Sequence, residues 1–120
     1  VKPYIKQVAI PVRNQDRSLE FYVKKLGFEV ATDAPMGGDQ RWIELRTPGH
    51  EAKLVLFTHP EWKDRIGTFS NIMFSAEDVE KTCRDLEERG VEFVQRPKKE
   101  SWGISAVFKD IDGNTFSIGS

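Results

Sequence analysis

Cysteine is nearly absent. Cys83 stands alone in 120 residues, so no internal disulfide can form and a reducing compartment is expected. No apolar run approaches the ~20 residues that a membrane-spanning helix needs. No basic segment leads into an apolar stretch of the export-signal kind. The expected location is therefore cytoplasmic, with no membrane partner. Charge of one sign is not in excess either: 18 basic and 19 acidic side chains give a formal net charge of −1 and are interspersed along the chain. Binding to nucleic acid draws on a basic patch that releases counterions, and none is present, so no nucleic-acid partner is expected.

What the chain does have is an internal repeat. Residues 5–30 read IKQVAIPVRNQDRSLEFYVKKLGFEV and residues 69–94 read FSNIMFSAEDVEKTCRDLEERGVEFV. Each holds an alternating run, a polar turn, an amphipathic stretch, a glycine and a second strand-like run. Val8-Ala9-Ile10 matches Ile72-Met73-Phe74, and Leu26-Gly27-Phe28 matches Arg89-Gly90-Val91, with one residue lost near the helix start. Halves of about 60 residues bury too little to be stable alone, so the two are expected to pack together.

Each half reads as β-α-β-β-β. In the first, a strand spans about 6–12, with Val8, Ile10 and Val12 on one face and Gln7 and Ala9 on the other. Asn14 or Asp16 caps a helix that runs to about Lys25, with Leu19, Phe21, Tyr22, Val23 and Leu26 as its apolar positions and Gly27 as its stop. Strands follow at 28–32, 41–46 and 53–58, with Pro35 and Gly37-Gly38 in a loop and Thr47-Pro48-Gly49 in a turn. The second half gives strands at 71–75, 91–95, 104–109 and 115–118, and a helix at 79–89 stopped by Gly90. The module boundaries are about 4–58 and 69–120, joined by a linker at 59–68.

This plan resembles the vicinal oxygen chelate superfamily, which includes glyoxalase I, extradiol dioxygenases, fosfomycin-resistance enzymes and bleomycin-resistance proteins. The residues that carry the resemblance are Val12 to Tyr22 (VRNQDRSLEFY), Lys25-Leu26-Gly27-Phe28, Arg89-Gly90-Val91 and Phe108-Lys109-Asp110-Ile111-Asp112-Gly113-Asn114. Ile111 stands where the family usually has proline. The resemblance implies an α+β fold in which two tandem βαβββ modules curl mixed sheets around a shared cavity, with helices outside. It also implies a homodimer.

Metal-dependent members of that superfamily take one His, Glu or Gln from each of four inner strands. By motif spacing the corresponding positions here are Gln7, Leu56, Asn71 and Ser117. A catalytic divalent site needs about three imidazole or carboxylate ligands. These four neutral groups do not supply them, so neither a metal nor another cofactor is expected. His50 follows a Pro-Gly turn and His59 ends a strand. Neither has a carboxylate at helical spacing, and His59 is the one expected to border the cavity.

Alternation places Trp42 and Glu44 opposite Ile43 and Leu45, on the cavity face, and makes Glu44 a candidate base. The alternative for Glu44 is a salt bridge with Arg41 or Arg46. In the second half Asn71, Met73, Thr115 and Ser117 fall on the cavity face. Trp42 and Trp102 either line a pocket for a planar or amphipathic molecule or close the core or an interface. Trp62, in the linker, suits the core or interface. Lys98 and Lys99 are either rim charges or solvated ones. Cys83 reads as a small buried hydrophobe. The expected function is binding of an organic small molecule, as in bleomycin-resistance proteins. The rival expectations are an enzyme of the same superfamily (a lyase, isomerase or dioxygenase relative) and a non-catalytic dimerisation domain.

Overall fold

The computed structural model describes residues 2–49 and 52–120; His50 lies outside them. The chain divides into two compact units, one ending at Ile66 and the other running Gly67–Ser120. Each unit carries a four-stranded mixed sheet and one main helix, so the architecture is α+β.

The first unit contains β1 (Gln7–Pro11), α1 (Gln15–Glu20), β2 (Glu29–Gly37), β3 (Gln40–Arg46) and β4 (Lys53–Phe57). Its sheet order is β1-β4-β3-β2, with β1 parallel to β4 and the other pairs antiparallel. Asn14 caps α1, its side chain accepting from the Arg17 N–H at 3.0 Å. The regular helix is shorter than its apolar pattern predicts. From Phe21 to Lys25 the chain widens into a π-helical turn, and Gly27 at φ 78° ends it. Phe21 and Tyr22 are buried there, while Leu19, Val23 and Leu26 are half-buried. The segment expected to be a plain linker opens with a 3-10 helix, Pro60–Arg65, that packs against β1.

The second unit repeats the topology with β5 (Phe69–Ser75), α2 (Val79–Glu88), β6 (Glu92–Glu100), β7 (Gly103–Lys109) and β8 (Thr115–Gly119) in the order β5-β8-β7-β6, β5 running parallel to β8. Asp78 caps α2 through the Lys81 N–H at 3.0 Å. Val79, Cys83 and Leu86 are the buried positions of that helix, as its spacing predicts. Phe108 and Phe116 stack at 5.6 Å in the core, with Phe74 at 5.5 Å from Phe116.

Two strands run past their expected ends at 32 and 95, each through a proline. β2 continues through Pro35 to Gly37, and β6 continues through Pro97 to Glu100. Both are edge strands, where a residue without an N–H leaves no ladder partner unsatisfied, and both carry a register shift beside the proline.

Candidate functional site

The two faces of the first sheet follow from its register. Ile10, Leu56 and Ile43 are cross-strand partners and share one face with Leu54 and Leu45, all buried. The opposite face carries Gln7, Ala9 and Pro11 from β1, Lys53, Val55 and Phe57 from β4, and Trp42, Glu44 and Arg46 from β3. Gln7, Trp42 and Glu44 are thus brought to one face, as expected, and all are half-buried. Leu56 is not among them. It is fully buried on the core side, which corrects its assignment to the cavity face; Val55 stands in the inner row instead, level with Ala9 and Glu44.

In the second unit Met73 and Ser117 are direct partners on one face, with Val107 beside Ser117. Asn71 lies on the same strand but in a bulge, at φ 64°, a left-handed conformation that asparagine tolerates. Ser70 repairs the interrupted ladder: its Oγ donates to the Thr115 carbonyl at 2.7 Å and accepts from the Ile72 N–H at 3.2 Å. Trp102 sits at the tip of the β6–β7 hairpin, 62% exposed, so it does not close a core within this unit.

The donor set does not suit a divalent ion. Gln7, Asn71 and Ser117 are neutral oxygen donors, and the β4 position is a hydrocarbon whichever residue is taken. Among the described residues no three of His, Cys, Asp or Glu converge on one point. Dehydrating a divalent cation needs charged or imidazole ligands that these positions lack.

The inner face carries a connected set of aromatic rings instead. Trp42 meets Phe57 edge-on at 6.3 Å, and Phe57 lies 5.2 Å from Trp62. His59 stacks on Phe57 at 5.8 Å, with 13° between the rings, and is 6.4 Å from Trp62. Arg65 covers Trp62 at 5.2 Å. The 3-10 helix builds this group: Pro60 starts it, and His59 caps it by accepting from the Glu61 N–H through Nδ1 at 3.1 Å. Sequence reasoning placed Trp42 on this face and His59 at its border but missed Phe57 and Trp62, the rings that join them. The legible signal was His59-Pro60, a cap followed by a first-turn proline.

A polar node flanks the group. Arg41 binds Asp16 at 2.5 Å and Asp33 at 3.0 Å, and these bonds hold its proton more firmly than in a free guanidinium. The guanidinium is thus engaged by those two carboxylates rather than reserved for Glu44. Buried Gln15 ties the ends of β3 and β4 together, donating to the carbonyls of Arg41 (2.6 Å) and Leu56 (3.0 Å) and accepting from the Arg41 N–H (3.1 Å).

Residues 4–118 match the model of the Glyoxalase/Bleomycin resistance protein/Dioxygenase superfamily. The chain is 36% identical over 111 residues to the uncharacterized protein YetH of Bacillus subtilis (strain 168), covering 92% of each. Among solved structures, UcmS2 matches with a TM-score of 0.89 and 32% identity, over 99% of this chain and 98% of that one. TnmS3, an antibiotic binding protein from Streptomyces sp. CB03234, matches with a TM-score of 0.86 and 31% identity, over 98% and 95%. Among the described residues no helix is long and apolar enough to cross a membrane.

Proposed function

From a chain that belongs to the Glyoxalase/Bleomycin resistance protein/Dioxygenase superfamily, we propose a metal-free binding protein for planar, amphipathic organic molecules, acting by sequestering a toxic or antibiotic-like compound. The observation that carries this reading is the run of half-buried rings from Trp42 through Phe57 to Trp62. Aromatic surface with a few polar groups beside it, here Gln7 and Glu44, gives a flat apolar ligand contact area at little entropic cost. The antibiotic-binding neighbour TnmS3 supports the ligand class, and the neutral donor set supports binding without a metal. The partner in assembly is a second copy of the chain in a C2 homodimer, which light scattering would report as a mass near twice 13.8 kDa.

A tryptophan-fluorescence titration against planar aromatic and glycopeptide-like antibiotics tests the reading. A saturable change is expected with the native protein and a weakened one with Trp42→Ala. A library that leaves the fluorescence of the native protein unmoved would overturn it. Glu44 shares the face with Gln7 and Trp42, which keeps an enzymatic reading in view. Sequestration expects Glu44→Gln to retain binding with no turnover in either protein, whereas conversion of a bound compound by the native protein alone would favour Glu44 as a base.

A further inference from the structure

A cleft of about 890 Å³ opens at one end of the first unit, where the chain leaves β1 and β4 and meets the β2–β3 hairpin. Its volume falls within the range of small-molecule sites. Val12 and Ile66 give it an apolar part, and side-chain bridges tie its walls together. Gln15 clamps the ends of β3 and β4, and Gln40 donates its Nε2–H to the Thr58 carbonyl, tying the hairpin to the end of β4.

Two donors line this cleft beside the 3-10 helix. Arg41 engages one oxygen of the Asp16 carboxylate. His59 uses Nδ1 to accept from the Glu61 N–H, so in the neutral imidazole the proton sits on Nε2 and only a donor is left to offer. Lys63 lines the cleft with an ammonium that has no carboxylate partner among the described residues. Asp39, at the hairpin, is the one lining carboxylate outside the Arg41 node. A ligand entering here meets Lys63 and the His59 Nε2–H beside the flat ring of His59.

We propose that this cleft is a second binding site, separate from the Trp42 face, for small planar anions such as aromatic carboxylates, with Lys63 and the His59 Nε2–H receiving the negative group. The cleft shares His59 with the ring group of the inner face, but its charge, Lys63, and its Asp39–Gln40 wall lie outside that group, so the site does not depend on the sequestration reading.

Matched probes of opposite charge, 2-naphthoate and 2-naphthylmethylammonium, test it by amide chemical-shift titration of the whole protein. Naphthoate is expected to move the amides of Asp39, Gln40, His59 and Lys63 and to bind at least about five-fold more tightly than the cation, the scale of one charge contact in water. Lys63→Glu should abolish that preference, and Asp39→Asn should strengthen naphthoate binding by a few-fold. Lys63 is exposed, so unchanged shifts elsewhere will show that the variant is folded. Equal affinity for the two probes, or no binding of either at millimolar concentration, would refute the site. Shifts centred on Trp42, Glu44 and Val55 and indifferent to Lys63→Glu would also refute it, while leaving the inner-face reading intact.

Discussion

Replacing Asp110 tests most directly how the second unit is closed. Asp110 and Asn114 are 5% and 2% exposed, and they build the turn between β7 and β8. The Asp110 carboxylate accepts from the N–H groups of Asp112 (2.9 Å) and Asn114 (2.9 Å) and from the Asn114 Nδ2 (3.0 Å). Asn114 in turn accepts the Gly67 N–H at 2.8 Å through Oδ1. Hydrogen bonds to a charged group are worth about 1.5–3 kcal/mol each, and orphaned buried donors add their desolvation cost. These bonds act as one unit and do not add fully, so Asp110→Ala is expected to cost about 3–5 kcal/mol. Asp110→Asn is the sharper variant. Each of these three contacts is a donor, so an amide sets its NH2 against at least one of them whichever way it turns, at about 1–2 kcal/mol. With a urea m-value of about 1–3 kcal/mol/M, the alanine variant should lower the unfolding midpoint by more than about 1 M. Exposed Asp64 provides the control, since Asp64→Ala should stay within about 0.5 kcal/mol of the native protein. If Asp110→Ala unfolds alongside Asp64→Ala, the turn is not held by its carboxylate and the reasoning fails.

The other expectations use the same urea series or simple chemistry. Gln15→Ala should cost about 2–3 kcal/mol, because it strands buried backbone groups of Arg41 and Leu56. Phe21→Ala should cost about 3–5 kcal/mol, and half-buried Trp42→Ala less than that; equal losses would mark Trp42 as core. Burial, reinforced by the charge of Glu87, pushes the Cys83 thiol up. Folding therefore favours the protonated thiol: this contribution is fully present below the ordinary thiol range and is lost as pH rises through it to the raised value. Cys83 should resist iodoacetamide at neutral pH until the protein unfolds, and rapid labelling of the folded protein would contradict its burial. After dialysis against Ni²⁺, Zn²⁺, Fe²⁺ or Mn²⁺ and washing, elemental analysis should find less than about one equivalent bound. A stoichiometric ion lost on Gln7→Ala would overturn that.

Legibility followed periodicity. Where apolar and polar residues alternate, as at Ile43 and Leu45 against Trp42 and Glu44, or Phe116 and Ile118 against Thr115 and Ser117, the faces read from sequence are the faces observed. Leu54-Val55-Leu56-Phe57 has no alternation, so nothing local says which side Leu56 takes; its partners Ile10 and Ile43 decide. The strands expected at 28–32 and 91–95 run on through Pro35 and Pro97, because a proline interrupts a ladder only where a neighbour waits for its N–H. Whether a strand lies at an edge is a property of the sheet.

The sequence by itself determined the duplicated βαβββ order, a cap at Asn14 or Asp16, the Gly27 and Gly90 stops, the buried positions of α2 and the poverty of metal donors. Each of these rests on contacts a few residues apart or on residue chemistry alone. Only the tertiary structure decided the parallel pairing of β1 with β4, the core position of Leu56, and the meeting of Phe57 with Trp42, His59 and Trp62. It also decided the cleft lined by His59 and Lys63. Those features depend on cross-strand register and on where a 3-10 helix comes to rest, and no local period encodes either.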